Sequence, residues 1–402
     1  MITKSIDEVS ETLIDYRGKT PKKTDNGIKL ITAKVIKDGF IIDGNHEYIS
    51  EEEYDKWMTR GLPKQWDILI TTEAPLGEVA RLRTPEKVAL AQRVILLRGN
   101  PNIIDQTYYF YALRSPYVQN GLMQRATGTT VLGIKQSELR QVKIPYHPLP
   151  TQRNIAAILS AYDDLIENNT HRIKILEEMA QLIYREWFVK FRFPGHEKVR
   201  MVDSVLGPIP EGWEVVKLGE IIEFQKGKKA KNVIEEQCDG FIPYLLIDGL
   251  KNYHYVYTDD KKILVAYETD CIMVMDGASS GYVSIGHYGA VGSTLAKITI
   301  KGNLNSYYLY QFLQVNYKII SDNNTGSAIP HTNKDFVNGM FIPIPPISLM
   351  RIYIDCVEPI FRLTWKLRKK NTILHRTRDL LLPRLISGEL DVENLDIDVG
   401  GD

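Results

Sequence analysis

In two long stretches of the chain, mostly apolar residues recur at the spacing that places them on one face of a helix. The first stretch follows Pro150, and its residues recur at alternating steps of four and three: Ile155, Leu159, Tyr162, Ile166, Asn169, Ile173, Leu176, Ala180, Ile183 and Trp187. A mean spacing of 3.5 residues is typical of a coiled coil. The pattern predicts a helix over about 151–190, roughly 60 Å long, that stops before Pro194 and Gly195.

The second long stretch begins after Pro345 and Pro346. Its stripe consists of Val357, Ile360, Leu367, Leu374, Leu381 and Leu385, with Thr364, Asn371 and Arg378 as polar interruptions. Pro383 should end or kink this helix near Leu382. Because neither helix can leave its apolar stripe in water, the pattern favours antiparallel pairing of the two helices. Packing of each helix on its own domain is the alternative.

Short apolar runs bounded by Gly, Asp and Asn are typical of strands. Residues 1–148 contain IKLITAKVI, WDILITTE and RVILLRG, and residues 205–345 contain FIPYLLIDGL, DCIMVMDG and TLAKITI. The segment TYYFYALRS, from Thr107 to Ser115, is interpreted as a helix whose aromatic residues Tyr108, Tyr109 and Phe110 belong to a core. The fold class predicted is α/β (α+β), with two similar mixed α/β domains.

The two domains repeat one another in sequence. Thr127-Gly128 and Ile144-Pro145 recur 198 residues later as Thr325-Gly326 and Ile342-Pro343. TYYFYALRS matches SYYLYQFLQ at an offset of 199, and the segment from Asp67 matches that from Asp270 at an offset of 203. A drifting offset indicates loop insertions between two copies of one scaffold. We predict a pseudo-two-fold repeat with a first domain at 1–148, a helix at 149–195, a second domain at 196–345, and a helix with a tail at 346–402.

Composition and charge restrict the function. The 402 residues are 44% hydrophobic and 25% charged, and 50 basic residues balance 50 acidic ones. A nucleic-acid site must therefore arise from local clustering. Three dispersed cysteines (Cys238, Cys271 and Cys356) and eight scattered histidines predict neither disulfides nor a metal site. Without an apolar leader or membrane-spanning stretch, we expect a soluble intracellular protein.

Both domains concentrate positive charge near their starts, which predicts two places that contact phosphates. The candidates are Arg17, Lys19, Lys22, Lys23 and Lys34 in the first domain, and Lys226, Lys228, Lys229 and Lys231 in the second. The repeated Thr-Gly loops add Arg125, Thr127, Thr129, Thr325, Ser327 and His331, whose donors can approach a phosphate or a base edge. A solvated lysine-rich surface and plain turns are the alternative interpretations.

Catalytic motifs are absent from the sequence. RGKTP, from Arg17 to Pro21, is similar to the end of a P-loop, but Leu13 stands where the first glycine is required. The chain contains no HExxH, no GxSxG, no GxGxxG after a strand, and no NPPY-type or DPPF-type motif of amino-methyltransferases. We therefore expect a non-catalytic reader or scaffold.

Four segments together resemble type I restriction–modification specificity subunits. They are the stretch from Pro148 to Gly195, RGKTP, GPIPEGWEVVKLGE from Gly207, and LLPRLISGEL from Leu381 to Leu390. The resemblance implies two target-recognition domains separated by two helical spacers, and it implies that each domain reads half of a bipartite double-stranded DNA target. It also implies that this cytoplasmic subunit has neither catalysis nor a cofactor of its own.

The same resemblance implies the partners. Two methyltransferase subunits would use S-adenosylmethionine to methylate adenine, and restriction subunits would use ATP and Mg²⁺ to translocate and cut DNA. Domains that contact one face of a duplex should lie about one helical turn (~34 Å) apart, so helix length would set the gap between half-sites. The alternative is a non-catalytic coiled-coil protein-interaction scaffold without a DNA role.

Overall fold

A computed structural model describes residues 2–16, 18, 20–42, 44, 46–326, 328–393 and 395. Three residues of the predicted site, Arg17, Lys19 and Ser327, lie outside the described residues. The chain divides into a first unit, Met1–Ile166 with Ile373–Asp402, and a second unit, Glu167–Thr372. Each of the two long helices therefore contributes to both units. The domain boundaries at 148, 195 and 345 stay a prediction.

The first unit contains the following elements. Its strands are β1 (Ile2–Ser5), β2 (Ser10–Asp15), β3 (Lys23–Thr24), β4 (Ile28–Ile31), β5 (Ile36–Lys37), β6 (Phe40–Ile41), β7 (Glu47–Ile49), β8 (Ile68–Thr72), β9 (Leu76–Arg81), β10 (Val88–Leu90), β11 (Val94–Gly99) and β12 (Lys143–Tyr146). Its helices are α1 (Ile6–Val9), α2 (Glu51–Trp57), α3 (Gln106–Arg114), α4 (Pro116–Gln124), α5 (Gln136–Gln141) and the start of α6 (Leu149–Tyr184), with a 3₁₀ turn at Ala33–Val35.

The second unit contains a similar but not identical series of elements. Its strands are β13 (Met201–Val202), β14 (Ile209–Pro210), β15 (Glu214–Lys217), β16 (Ile222–Lys226), β17 (Ile242–Leu245), β18 (Val256–Thr258), β19 (Val265–Ala266), β20 (Cys271–Val274), β21 (Val283–Ser284), β22 (Gly289–Val291), β23 (Leu295–Ile300) and β24 (Phe341–Ile344). Its helices are α7 (Leu218–Ile221), α8 (Ile247–Asn252), α9 (Ser306–Val315), α10 (Tyr317–Asp322), α11 (Lys334–Gly339) and the start of α12 (Ile347–Ser387). A π turn (Arg185–Val189) and a 3₁₀ turn (His196–Lys198) follow α6.

Each unit is built around one antiparallel four-stranded sheet, with strand order β2-β11-β8-β9 in the first unit and β16-β23-β20-β21 in the second. Successive side chains of β11 enter two different cores: Ile95 and Leu97 pack with the helices, and Val94 and Leu96 pack with the smaller sheet. Because side chains alternate between the faces of a strand, a strand that is covered on both faces is apolar throughout. This explains the uninterrupted apolar runs of the sequence.

The smaller sheets share a three-strand nucleus. Strand β4 pairs parallel with β10 and antiparallel with β7, and β17 pairs parallel with β22 and antiparallel with β18. The added edge strand differs, because β3 joins β7 in the first unit whereas β19 joins β22 in the second. The mixed α/β architecture and the internal repeat that were predicted from the sequence are confirmed.

Helices α3 and α9 correct the alignment of the repeat by one residue. The side chain of Asp105 caps α3 and that of Asn305 caps α9. The hydroxyl of Tyr108 donates to the carbonyl of Pro145, and that of Tyr308 donates to the carbonyl of Pro343. The two capping residues and the two tyrosines each correspond at an offset of 200, in place of the 199 that the sequence match suggests. Tyr108, Tyr109 and Phe110 are buried, as predicted.

The long helices pair antiparallel within each unit. In the first unit, Ile155 and Leu159 of α6 share a core with Leu385 of α12. In the second unit, Ala180 of α6 shares a core with Val357 of α12. Both cores also contain domain residues, so each helix packs on its partner and on the domain beside it. The predicted antiparallel coiled coil is confirmed within each unit.

Pro383 was predicted to end or kink the second helix near Leu382, and the helix does not end there. Helix α12 runs to Ser387 and ends before Gly388, whose φ is +79°. Proline inside a helix costs about 3 kcal/mol. Burial of Leu382, Leu385 and Ile386 in the core of the first unit offsets this cost, because each such side chain contributes about 1.5–3 kcal/mol.

The polar interruptions of the second stripe are buried and have partners. The amide of Asn169 donates to the Oδ1 atom of Asn371 over 2.8 Å in the second unit. In the first unit, Arg378 donates to Asp163 over 2.6 Å. The hydroxyl of Thr364 donates to the carbonyl of Ile360, four residues earlier in its own helix.

Among the described residues, no helix combines the length and the apolar character that crossing a bilayer requires.

Candidate nucleic-acid interface

In each unit, an acidic residue follows one of the two inner strands of the main four-stranded sheet. Glu73 comes directly after β8, and Asp276 comes shortly after β20. The two acids correspond at the same offset of 203 that relates the strands. Glu73 forms an isolated bridge with Gly133, and Asp276 forms one with His331. Each acid therefore lies beside the loop that carries the repeated Thr-Gly.

These loops are hairpins of the same design, and we call residues 127–133 the first hairpin and residues 325–331 the second hairpin. Two backbone hydrogen bonds of 2.8 and 2.9 Å join Thr127 to Gly133, and two of 2.8 and 2.7 Å join Thr325 to His331. The hairpins explain why Thr-Gly recurs in the sequence, since each one turns at its glycine.

A side chain at either glycine would collide with the hairpin's own backbone. Gly128 has a φ of +118°, and a Cβ atom there would lie 2.1 Å from the carbonyl oxygen of Val131. Gly326 has a φ of +87°, and a Cβ atom there would lie 2.4 Å from the carbonyl oxygen of Ile329. Only glycine fits such a left-handed and crowded position.

In the second unit, Asp276 contacts both the second hairpin and the lysine-rich residues 226–231, which we call the basic segment. Its Oδ2 atom lies 3.1 Å from Nζ of Lys226, and its Oδ1 atom lies 2.7 Å from Nδ1 of His331. Partial burial raises the pKa of Asp276, but hydrogen bonds from His331 and Lys226 outweigh burial and hold the pKa below its ordinary value. The carboxylate therefore stays charged at neutral pH and orients both basic side chains.

The remaining lysines of this basic segment stand out from the surface. The amide of Lys228 donates to the carbonyl of Val291 over 3.0 Å, which attaches the segment to β22. Lys228, Lys229 and Lys231 are exposed. Within the described part of the chain, no carboxylate forms an ion pair with these three lysines. Their charge is therefore available to an external anion.

In the first unit, Gly18 and the first hairpin line a cavity of about 490 Å³, together with Glu73, Arg93 and Lys135. Arg93 approaches Glu73 to 3.3 Å between Nη2 and Oε1. Glu73 therefore lies beside the first hairpin with a basic partner, as Asp276 lies beside the second.

The other predicted residues of the first unit have different surroundings. The amide of Lys22 donates to Glu53 over 2.9 Å, and Lys23 pairs with Glu47 at 2.7 Å beside the smaller sheet. Lys34 is exposed on a 3₁₀ turn. Arg125 pairs with Glu138 at 2.9 Å. Thr127 and Thr129 are exposed in the first hairpin. No contact joins Lys22, Lys23 or Lys34 to the hairpin among the described residues.

Sequence reasoning missed Glu73, Asp276 and Arg93. A signal for the two acids was present, because the duplicated strands WDILITTE and DCIMVMDG carry Glu and Asp at the same aligned position. Arg93 had no such signal, since it precedes β11 in a turn that is far in sequence from both loops. Among the described residues, no group of three His, Cys, Asp or Glu side chains could hold a metal ion.

A second candidate surface lies on the long helices, facing away from their seam. Ile175 and Leu182 of α6 are exposed in the second unit, and Ile373 and Leu380 of α12 are exposed in the first. The pairs correspond at the offset of 198 that relates the two helices. Each unit therefore presents the same exposed apolar positions, which is unusual for a helix that has already buried one apolar stripe.

The aromatic residues at the end of α6 do not belong to such a surface. Tyr184 and Phe188 are buried, and the Phe188 ring lies 4.7 Å from those of Tyr308 and Tyr353. Trp187 packs against the same core. These aromatic residues therefore belong to the core of the second unit.

Comparison with known proteins agrees with this architecture. The sequence profile of the type I restriction modification DNA specificity domain matches residues 2–178 and 210–373. The type I restriction enzyme MjaIX specificity subunit of Methanocaldococcus jannaschii is 26% identical over 378 residues, which cover 87% of this chain and 85% of that protein. The MjaVIII specificity subunit of the same organism is 28% identical over 184 residues, or 44% of this chain and 43% of that protein.

A solved structure shares the fold. The S subunit of a type I restriction-modification system from M. genitalium superposes with a TM-score of 0.60 at 19% identity, and the match covers 96% of this chain and 95% of that one. At this identity the likeness concerns the fold alone. The profile, in contrast, matches most of the chain in two consecutive copies, one for each half of the repeat. The chain therefore belongs to the family of type I restriction–modification DNA specificity subunits, which are not themselves enzymes.

Proposed function

We propose that this protein reads a bipartite DNA sequence, with one half-site for each unit. The observation that carries the proposal is the repeated cluster of an acid, a basic side chain and a hairpin. Glu73 with Arg93 forms the cluster in the first unit, and Asp276 with Lys226 forms it in the second. Two different clusters on one scaffold are suited to two different half-sites.

The cluster has the chemistry that base recognition needs. A carboxylate accepts a hydrogen bond from the amino group of cytosine, and arginine or lysine donates to O6 and N7 of guanine. Lys228, Lys229 and Lys231 supply exposed charge beside the cluster of the second unit. Contacts of this kind to phosphates would position the protein on DNA without selecting a sequence.

The exposed apolar positions of the long helices support docking of two methyltransferase subunits, one on each unit. Ile175 and Leu182 in the second unit and Ile373 and Leu380 in the first would contact equivalent helices of the two partners. S-adenosylmethionine would then be held by these partners, and ATP and Mg²⁺ by restriction subunits that bind the same assembly. We infer a cytoplasmic location from the DNA target and from the free thiols of Cys238, Cys271 and Cys356.

Helix length supports the proposal that the spacers set the gap between half-sites. Helix α6 has 36 residues and α12 has 41, which correspond to about 54 and 62 Å at 1.5 Å per residue. Removal of four residues, about one helical turn, from one spacer should change the gap or abolish binding. An unchanged gap with full activity would contradict this role of the helices.

Methylation mapping tests the proposed function. The chain is co-expressed with a type I methyltransferase subunit from the same source, and methylated adenines are mapped on genomic DNA. We expect one split target sequence, and a contiguous target would contradict two independent half-site readers.

A salt titration separates DNA reading from a scaffold without a DNA role. The double substitution Lys228→Ala with Lys229→Ala should make the slope of log K against log salt shallower by about 0.9 for each lost phosphate contact. The matched control is Lys261→Ala with Lys262→Ala, which removes two exposed lysines of the same unit outside the cluster. Equal slopes for both variants would contradict phosphate binding by the basic segment.

A further inference from the structure

Both hairpins expose apolar side chains at their tips. In the first hairpin, Val131 is 49% exposed and Leu132 is 46% exposed, and in the second hairpin Ile329 is 59% exposed. Val131 and Ile329 correspond at the offset of 198 that relates the hairpins. A single exposed apolar residue is ordinary in proteins. Because an exposed apolar residue recurs at the same position of both hairpins, we expect the two residues to serve the same role.

The backbone holds these tips away from the core. In the second hairpin, the carbonyl of Pro330 accepts hydrogen bonds from the amide of Gly277 over 2.9 Å and from the hydroxyl of Ser280 over 2.8 Å. The amide of Thr332 donates to the carbonyl of Met275 over 2.8 Å. The residues that directly follow Ile329 are therefore attached to the strand end, and the Ile329 side chain stays 59% exposed.

One of these attachments has a counterpart in the first hairpin. The amide of Ile134 donates to the carbonyl of Thr72 over 3.0 Å, directly after Leu132 and Gly133. Because backbone hydrogen bonds already hold each hairpin at the strand end, ordering it on a ligand costs less conformational entropy.

The polar groups beside each tip indicate which surface the tip would contact. Glu73 and Arg93 flank the first hairpin, and Asp276 and Lys226 flank the second. Carboxylates and cationic side chains read cytosine and guanine in the major groove, where a two-stranded ribbon also fits. The apolar group that the major groove offers is the C5 methyl of thymine.

We propose that the hairpin tips enter the major groove and that Ile329 and Val131 each contact a thymine methyl group in their half-sites. The inference rests on the proposed function and extends it, since it assigns particular residues to the reading of A·T pairs. Each half-site then combines polar readout by the flanking charges with apolar readout by the tip.

Replacement of thymine by uracil tests this assignment, because uracil lacks only the C5 methyl group. The probe is the mapped target duplex, with each thymine of both half-sites replaced in turn, and it is bound by the complex of this chain with its methyltransferase subunits. Loss of one buried methyl contact should weaken binding about fourfold at one position in a half-site. The Ile329→Ala variant should bind the thymine and uracil forms of that position equally.

The matched control is Ile319→Ala, which truncates an isoleucine of α10 in the same unit that is 52% exposed and lies outside the hairpin. It should keep the wild-type affinity and the wild-type discrimination between thymine and uracil. The inference is overturned if Ile329→Ala binds like the wild type, or if it still discriminates at every position that the wild type reads. A wild-type complex that binds no split duplex would instead refute the proposed function.

Discussion

In the first unit the two long helices meet through a buried ion pair, whereas in the second unit the corresponding residues are a phenylalanine and an alanine. Asp163 accepts hydrogen bonds of 2.6 Å from both Arg378 and the hydroxyl of Tyr111. Arg114 approaches the same carboxylate to 3.8 Å. Asp163 and Arg378 are almost completely shielded from water, and a buried charge is costly when its partner is lost.

The second unit fills the same place with apolar contacts. The offset of 198 relates Asp163 to Phe361 and Arg378 to Ala180. The ring of Phe361 stacks on that of Tyr307 with centroids 4.8 Å apart, and both residues belong to the core that contains Ala180. No ionic pairing is needed at this position.

The comparison teaches that the duplicated scaffold does not depend on one kind of contact. An ion pair in a buried seam gains little net stability over apolar packing, but its loss on one side is costly. Exchange of one solution for the other therefore requires two coordinated substitutions, and the two units can diverge in their contacts while they keep the same backbone.

The largest effect is expected from breaking the ion pair on one side only. Asp163→Ala leaves the buried guanidinium of Arg378 with only the more exposed Asp379, 2.7 Å away, and deprives Arg114 of its nearby carboxylate, so it should lower the free energy of unfolding by about 3–5 kcal/mol. Urea denaturation measures this loss. The control Asp163→Ala with Arg378→Met removes one charge of each sign but leaves Arg114 in place, so it should recover part of the stability. A loss in the single variant below about 1 kcal/mol, typical of an exposed pair, would contradict the importance of the buried pair.

A smaller effect is expected at the paired asparagines of the second unit. Asn371→Ile leaves the amide of Asn169 without its acceptor and should cost about 1–3 kcal/mol. The repeat places Ile173 and Leu367 at the corresponding positions, and both are buried. The double substitution Asn169→Leu with Asn371→Ile should therefore exceed the stability of the wild type in thermal unfolding. A double variant less stable than the single one would contradict this expectation.

The smallest effect is the pH dependence of the ion pair. Burial raises the pKa of Asp163, but Arg378 and the hydrogen bond from Tyr111 outweigh burial and hold the pKa below its ordinary value of 3.8. A lowered pKa in the folded state gives stability that is present above the unfolded pKa and is lost as pH falls through the folded pKa.

The difference in unfolding free energy between the wild type and Asp163→Ala should therefore be constant near neutral pH and should shrink below about pH 4. Denaturation at a series of pH values measures this difference. The pair Asn169 and Asn371 carries no charge, so the effect of Asn371→Ile should not show the same decline. A difference for Asp163→Ala that persists unchanged into strong acid would contradict the assignment to this carboxylate.

Elements with strong local patterns could be predicted from the sequence. The spacing of residues such as Ile155 and Leu159 predicted the first long helix, and repetition of Thr-Gly predicted two equivalent loops. The second helix does not end at Pro383, because a local rule about proline gives no weight to the buried side chains that follow it. The polar interruptions Asn371 and Arg378 could be seen in the sequence, but their partners could not.

The candidate site was predicted in part. Lys226 and His331 were expected to contact DNA, and the structure brings them together on one carboxylate. Asp276 was missed because the candidates for DNA contacts were chosen from clusters of basic residues, which exclude an acid. Its counterpart Glu73 lies at the same place in the repeat, so a search for duplicated polar positions would have found both acids.

By itself the sequence determined the duplicated α/β scaffold, the two long helices and the glycine turns, because apolar periodicity and φ preferences act over neighbouring residues. Only the tertiary structure decided which side chains meet. Asp276 with Lys226, and Asp163 with Arg378, are pairs formed by residues that are distant along the chain. Pairing of charges across such distances depends on where the packed elements place them, and this placement follows from the burial of apolar surface in the whole fold.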